Sequence, residues 1–419
     1  MSNLRLSDQD EAMLHGEFGK GPEVAMRILS RMADIQGAAE LLDISQVHIG
    51  GSIYTGPGSL AIVEKFVEYG AQVRVPTTIN AISVDKQRWR QHHVAEEFAG
   101  KAIRLADAFE KLGAAPTFSC TPYALPGAPA EGEDIVWAES NAITYANSLL
   151  GARTNRHGDF LDICAAITGR APKTGLHLTE NRRGGLLVEV PVQQNVDDSY
   201  YTALGYLIGQ QAGNLIPVID GLQSKPSFED SKALCAAVST AGAVGLVHIV
   251  GVTPEAPTRD AAFGGRNPQR YLTVTEAMLE EVKTSLTTGS GTPALDLVVL
   301  GSPHFTLGDF QELAELLADQ PPRAKVPIWI TTSRFVLEQA KAAGWAQEAE
   351  SFGARISTDT CLCMLNSAVL PPNAQTIMTS SGKFAHYGPG LVNRPVWYSS
   401  LKNCIDSAVS GIPTTRDLE

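Results

Sequence analysis

Six short apolar runs in this chain end in residues able to do chemistry. VRVP is followed by Thr77, Thr78 and Asn80, and PTFS by Cys120, Thr121 and Tyr123. VVLG leads to Ser302 and His304, and IWI to Thr331, Thr332, Ser333 and Arg334. RIST precedes Asp359, Thr360, Cys361 and Cys363, and TIMT precedes Ser380, Ser381 and Lys383. Thiolates at such places could bind iron or zinc, or one could act as a nucleophile. His304 could be a ligand, a base or a donor to substrate. Lys383 and Arg334 suit a carboxylate. In open parallel sheets ligands bind beyond the carboxyl ends of the strands, where helix N-termini also point, so the six runs predict one shared polar pocket.

Helix capping is the competing reading of the hydroxyls, and it accounts readily for Thr306 ahead of the run from Asp309. It does not account for cysteine, which is not a favoured cap. Cys120 and Cys361 are therefore the sharpest candidates. Cys363, two residues from Cys361, would face the same side of a strand. Cys164, Cys235 and Cys404 fall inside helical runs and read as core thiols. His92 and His93, in WRQHHVAEEF, read as solvated residues of a charged helix. The glycines of IGGSIYTGPGS resemble a phosphate-cradling turn only loosely, being neither a Walker loop nor GxGxxG.

The elements needed to position these residues follow a repeating grammar: an apolar β-branched run, a small-residue turn, then an amphipathic helix. Ser7 and Asp10 open a helical segment to about residue 36, broken near Gly19 and Gly21. QVHIGG precedes a helix near residues 59–69, and a long helix is predicted over about 86–112. The alternation recurs through IVWAES, LVHIVGVTP, LDLVVLGSPH, VPIWITTSR and ARISTDTC. Strands joined by long helical connections predict an α/β fold of parallel-sheet domains with helices on both faces. GLLVEVPV alternates better and predicts an edge or antiparallel strand.

The 419 residues call for two or three domains. A composition of 44% hydrophobic and 19% charged residues is globular. The net charge of −12 (33 − 45) offers no basic field for nucleic acid. Leu234–Val252 lacks a full charge but reads as helix, glycine turn and buried strand rather than a membrane span. The N-terminus has no apolar signal core, and six cysteines in so long a chain are no disulfide framework. A soluble cytoplasmic protein is expected.

At GSIYTGPGS, VPTTINAISVD, SCTPY, WAESNAITYANSLLGARTNR, DICAAITGRAPKTGLH, HIVGVTPEAPT, LGSPH, TTSR, DTC and SGKFAHYGPG, the chain resembles aconitase X, the divergent branch of the aconitase superfamily. The resemblance runs nearly end to end. It implies an aconitase-like body of three α/β domains, subdivided approximately as 1–125, 126–260 and 261–419. It also implies an iron–sulfur cluster (2Fe–2S) or mononuclear iron, and a small swivelling domain that closes the pocket. Nothing in these residues looks like such a domain, so a separate small subunit is expected. Family members dehydrate hydroxy acids, cis-3-hydroxy-L-proline in bacteria and mevalonate 5-phosphate in archaea.

Carried onto this chain, the resemblance places Cys120 and Cys361 at ligand positions. Many relatives read GCPH where this chain has Ser302. Either Ser302 or water completes the site, or Cys363 substitutes, or the centre is mononuclear. Dehydration needs a base for the proton alpha to the carboxylate and a Lewis acid for the departing hydroxide. The residues expected to carry it are Ser302, His304 and Lys383 in catalysis, and Thr77, Thr78, Asn80, Ser333, Arg334 and Ser381 in substrate binding. The metal would be held by Cys120, Cys361 and Cys363. In related aconitases the base is a serine of the swivelling domain, which would place it on another chain. The readings that remain are a large subunit forming 1-pyrroline-2-carboxylate from cis-3-hydroxy-L-proline, the same fold acting on mevalonate 5-phosphate, and a metal-lacking binding or assembly subunit.

Overall fold

The computed structural model describes residues 4–191, 196–364, 369–371 and 373–414. Its first five strands are β1 (Leu41–Asp43), β2 (Val47–Ile49), β3 (Thr77–Ile79), β4 (Val136–Trp137) and β5 (Arg170–Pro172). β2 lies between β3 and β4 with both pairings parallel, while β1 and β5 form a small antiparallel pair. A second sheet holds β6 (Leu186–Glu189), β7 (Pro217–Asp220), β8 (His248–Ile249) and β9 (Arg270–Thr273) in the order 8-7-6-9, all parallel. The third sheet is the longest: β10 (Leu297–Phe305), β11 (Ile328–Thr332), β12 (Ala354–Ser357), β13 (Ile377–Thr379) and β14 (Val396–Tyr398), ordered 12-11-10-13-14 and parallel. The α/β architecture expected from the alternation is the one observed. Every residue of β10 and β11 is buried, as strands covered by helices on both faces must be.

Each sheet carries its own core. Val47, Ile49, Phe66, Phe109 and Ile163 fill the first, Leu186, Val188, Leu204 and Val238 the second, and Val298, Leu300, Ile330 and Phe310 the third. The pairing of β4 with β2 ties residues past 125 to the first sheet, that of β5 with β1 ties them to its preceding segment, and β9, past residue 260, pairs with β6.

Several local expectations are corrected. GLLVEVPV is not an edge or antiparallel strand: β6 pairs in parallel with both β7 and β9, and its Leu186, Leu187 and Val188 are buried. Burial on both faces, rather than alternation, sets its place. PTFS forms no strand: a Thr78–Ala115 bridge precedes it, and Thr117 Oγ1 and the Ser119 amide reach Ile79 at the end of β3 (2.8 and 3.3 Å to its carbonyl). The helix expected over 86–112 spans only Glu96–Lys111. Ahead of it the Asp85 carboxylate accepts from the Gln87 and Arg88 amides (2.9 and 2.8 Å) and holds a turn. His92 is consequently not solvated: it is 3% exposed, its Nε2 lies 3.2 Å from Ser357 Oγ, and its ring packs edge-on against Trp329.

The glycine turn after β2 binds an internal anion. Gly50 and Gly51 donate their N–H groups to the Asp162 carboxylate at 2.7 and 3.3 Å. Leu234–Val252 resolves into the end of helix Phe228–Ala241 followed by β8. No helix among the described residues is long and apolar enough to cross a membrane.

Candidate metal and active site

Two loops and a strand bring sulfur and imidazole together in the interior. Cys120 follows the first sheet's last bridge, His304 lies within β10, and Cys361 follows β12. Ligand atoms of the three lie within 4.8 Å of one another, and all three residues are buried. Cys120 Sγ and Cys361 Sγ are 3.8 Å apart. Two thiolates bound about 2.3 Å from one tetrahedral ion would sit about 3.8 Å apart, so this spacing fits a shared metal.

The imidazole is prepared for the same task. His304 Nε2 lies 2.8 Å from the Thr360 carbonyl, and so carries the hydrogen, while its buried Nδ1 has no partner. A backbone carbonyl that fixes the tautomer and frees the other nitrogen is the usual outer partner of a metal-binding histidine. Burial also holds His304 below the ordinary histidine range, in the neutral form a ligand requires. The His304 amide donates to Cys120 Sγ at 3.1 Å, an N–H···S bond of the kind that tunes thiolate centres.

The thiols share their protons unequally. Hydrogen bonds from Cys120 and Cys363 hold Cys361 well below the usual thiol range. Burial pushes Cys120 up, and its bond to the Cys361 sulfur adds to this. Cys363 is pushed up by donating to Cys361 and by burial. Ser302 Oγ lies 2.9 Å from Cys363 Sγ and 3.5 Å from Cys361 Sγ. Ser302 and Cys363 thus flank the three-residue cluster. Cys164, Cys235 and Cys404 are buried in helices, as core thiols should be.

Lys383 approaches from the helix Gly382–Val392, whose N-cap is Ser381. It is 7% exposed and its Nζ lies 2.5 Å from Glu139 Oε1. Burial alone would lower the Lys383 ammonium, but Glu139 and the neighbouring thiols outweigh this and raise it. Ser381 Oγ donates to the Ser302 carbonyl and accepts from the Phe384 amide. Asn80 Nδ2 donates to Glu139 Oε2 at 2.9 Å. Ser302, Ser381 and Lys383 line one cavity of about 470 Å³, into which Asp198, Glu229 and Glu312 also face.

Four expected substrate-binding residues are occupied elsewhere. Thr77 Oγ1 donates to Val75 O (2.8 Å), and Thr78 Oγ1 lies 2.8 Å from His48 Nδ1, so both hydroxyls serve the first sheet. Ser333 caps the helix Arg334–Ala342 by accepting from the Val336 amide. Arg334 is not an open clamp: its Nε and Nη2 grip both oxygens of the buried Asp359 carboxylate at 2.6 and 2.5 Å. The structure instead adds Glu139 and Asn141 to the site. Asn141 links Glu139 Oε1 to the Cys120 carbonyl (2.9 and 3.1 Å), and its Oδ1 accepts from Tyr123. Glu139 also follows an apolar strand, in IVWAES, and the strand-end rule applied there would have found it.

Residues 3–180, 184–284 and 295–410 match, in order, the family models of the aconitase X first, second and third domains. The chain is 48% identical over 408 residues to cis-3-hydroxy-L-proline dehydratase of Pseudomonas aeruginosa, covering 97% of this chain and 70% of that protein. It is 36% identical over 407 residues to the phosphomevalonate dehydratase large subunit of Methanothermobacter thermautotrophicus, covering 97% and 99%. The crystal structure of Thermococcus kodakaraensis aconitase X in its holo-form superposes with a TM-score of 0.86 at 33% identity, covering 96% of this chain and all of that one. With three consecutive domain matches on one architecture, the chain belongs to the aconitase X family.

Proposed function

We propose that the chain is the large subunit of a hydro-lyase that converts cis-3-hydroxy-L-proline to 1-pyrroline-2-carboxylate at a metal centre held by Cys120, Cys361 and His304. The observation that carries the chemistry is the cluster itself: two thiols at ligand spacing and an imidazole nitrogen with no other partner. Iron, in an iron–sulfur cluster or as a single ion, suits such a sulfur-rich donor set. When bound it would supply the Lewis acidity that helps a hydroxide leave. Cys363 and Ser302, beside Cys361, are positioned to complete the donor set.

The chain's own residues do the rest. Lys383 presents a buried ammonium to the cavity, suited to a substrate carboxylate and to the negative charge that builds there as the alpha proton departs. Ser302 and Ser381 offer polar atoms on the same wall. Asn80 steadies the Glu139 carboxylate by donating to its Oε2. The proton acceptor is proposed to lie on a small swivelling subunit. In support, the hydroxyproline-dehydrating relative is longer than its matched part, and the methanogen relative is described as a large subunit. Loss of water leaves an enamine that tautomerises to the cyclic imine.

The cavity favours an amino acid over a phosphate ester. Asp197, Glu229, Asp230 and Asp309 line it against Lys232 and Lys383, and Lys232 is already paired with Asp309. A phosphate would meet uncompensated negative charge there, whereas a ring ammonium would be welcome. The phosphomevalonate reading retains one supporting observation, the near-complete length match to the large subunits. Co-expression with the small partner and assay of both substrates separates the readings. Imine formation from cis-3-hydroxy-L-proline is expected. Turnover of mevalonate 5-phosphate alone would overturn the assignment.

A further inference from the structure

Glu139 is a buried carboxylate at the centre of the site with no role in the chemistry so far described. Its Oε1 accepts from Lys383 Nζ (2.5 Å), Asn141 Nδ2 (2.9 Å) and Ser140 Oγ (3.3 Å), and its Oε2 from Asn80 Nδ2 (2.9 Å). Both oxygens are therefore spent on donors. Such a group is poorly placed to take a proton from substrate and well placed to hold a charge still. The donors come from three separate parts of the fold: the segment after β3, the helix Ser140–Tyr145, and the helix Gly382–Val392 that starts after β13. Through Asn141 the same carboxylate is tied to the Cys120 carbonyl, on the thiol-bearing loop.

Lys383 has three N–H donors, and among the described residues Glu139 is its only hydrogen-bonding acceptor. The remaining donors belong to a side chain that lines the 470 Å³ cavity. A long lysine would otherwise explore several rotamers, and the ion pair removes that freedom.

We propose that Glu139 is a positioning residue that fixes the Lys383 ammonium, relative to the thiol cluster, to receive the substrate carboxylate. The inference rests on the dehydratase reading above. It assigns Glu139 no contact with substrate, so its whole effect must pass through Lys383.

That dependence gives the test. E139Q, K383M and the double variant E139Q/K383M are purified with the small partner. KM and kcat are measured on cis-3-hydroxy-L-proline, and the Kd of L-proline, which keeps ring and carboxylate but lacks the hydroxyl, is measured by calorimetry. E139Q and K383M should each raise KM and the L-proline Kd roughly tenfold or more, as loss of a charge-assisted bond does, with a smaller change in kcat. The double variant should match K383M with no further loss. It also leaves no unpaired buried charge, so its folding controls for the single variants. The assignment is overturned if E139Q keeps KM and Kd within about twofold of wild type, or if the double variant loses the E139Q factor on top of the K383M loss, as independent sites would. A wild-type complex that neither turns over hydroxyproline nor binds L-proline would sink the dehydratase reading and this assignment with it. An active wild type with an unaffected E139Q would sink this assignment alone.

Discussion

Two groups of strand ends carry the same residue types and do different work. In β3 and after β11, Thr77, Thr78, Ser333 and Arg334 spend their polar groups within the fold, on a carbonyl, an imidazole, a helix N-terminus and the Asp359 carboxylate. In β10 and after β12 and β13, His304, Cys361 and Lys383 converge with polar capacity left over: an unpartnered Nδ1, thiols at ligand spacing, and an ammonium with one acceptor. The contrast teaches that position at a strand end selects candidates, and residual hydrogen-bonding capacity decides among them. A satisfied group stabilises the fold; unpartnered donor atoms gathered at ligand spacing mark a candidate site.

The comparison can be broken by substitution, with the steepest losses expected on the second group. Cys361→Ser should abolish metal retention and lower turnover by on the order of a thousandfold, as loss of Lewis-acid assistance does, read by metal analysis beside the rate. Lys383→Met should lower kcat/KM by roughly a hundredfold, about 3 kcal/mol, with the metal retained. Arg334→Met belongs to the first group. It should cost about 2 kcal/mol of unfolding free energy, by stranding the buried Asp359, with half-exposure of the guanidinium moderating the loss. Its KM should stay within about twofold of wild type, and a large rise would move Arg334 into the second group.

Two smaller effects sharpen the picture. Burial, together with the carboxylates of Glu312, Asp197 and Asp309, pushes Asp198 up to about 8 despite the bond from the Leu401 amide. An unfolded aspartate titrates near about 3.9, so the native state holds the extra proton between these values. Stability should therefore fall as pH rises from about 4 to about 8, and D198N should flatten that slope in thermal melts. Thr77→Val, which keeps the β-branch and loses one bond to a carbonyl, should cost about 1 kcal/mol or less and leave turnover unchanged.

Much of this was legible in the sequence because strand-end geometry is local. Apolar runs carrying His304, Cys361 and Lys383 announce their place in a parallel sheet, and cysteine resists the capping explanation, which singles out Cys120 although its run forms no strand. What stayed hidden depends on partners distant in the chain. Nothing near Arg334 reveals that Asp359 will occupy its fork, and nothing near His92 reveals Ser357 and Trp329. The glycine turn at Gly50–Gly51 does bind an anion, but the anion is Asp162, more than a hundred residues on. β6 reads as an alternating strand because Glu189 punctuates it, yet its burial between β7 and β9 is a tertiary fact. Glu139, at the end of IVW and just before the helix Ser140–Tyr145, lies within reach of the same rule.

The central claim is that Cys120, Cys361 and His304 hold a metal that the reaction requires. X-ray absorption at the iron edge, on the complex purified without oxygen and shown to be active, tests it most directly. The account predicts a first shell containing both sulfur and imidazole nitrogen, with the iron edge itself lost in the Cys361→Ser variant. An active complex that contains no metal, or a metal with only oxygen neighbours, would contradict it.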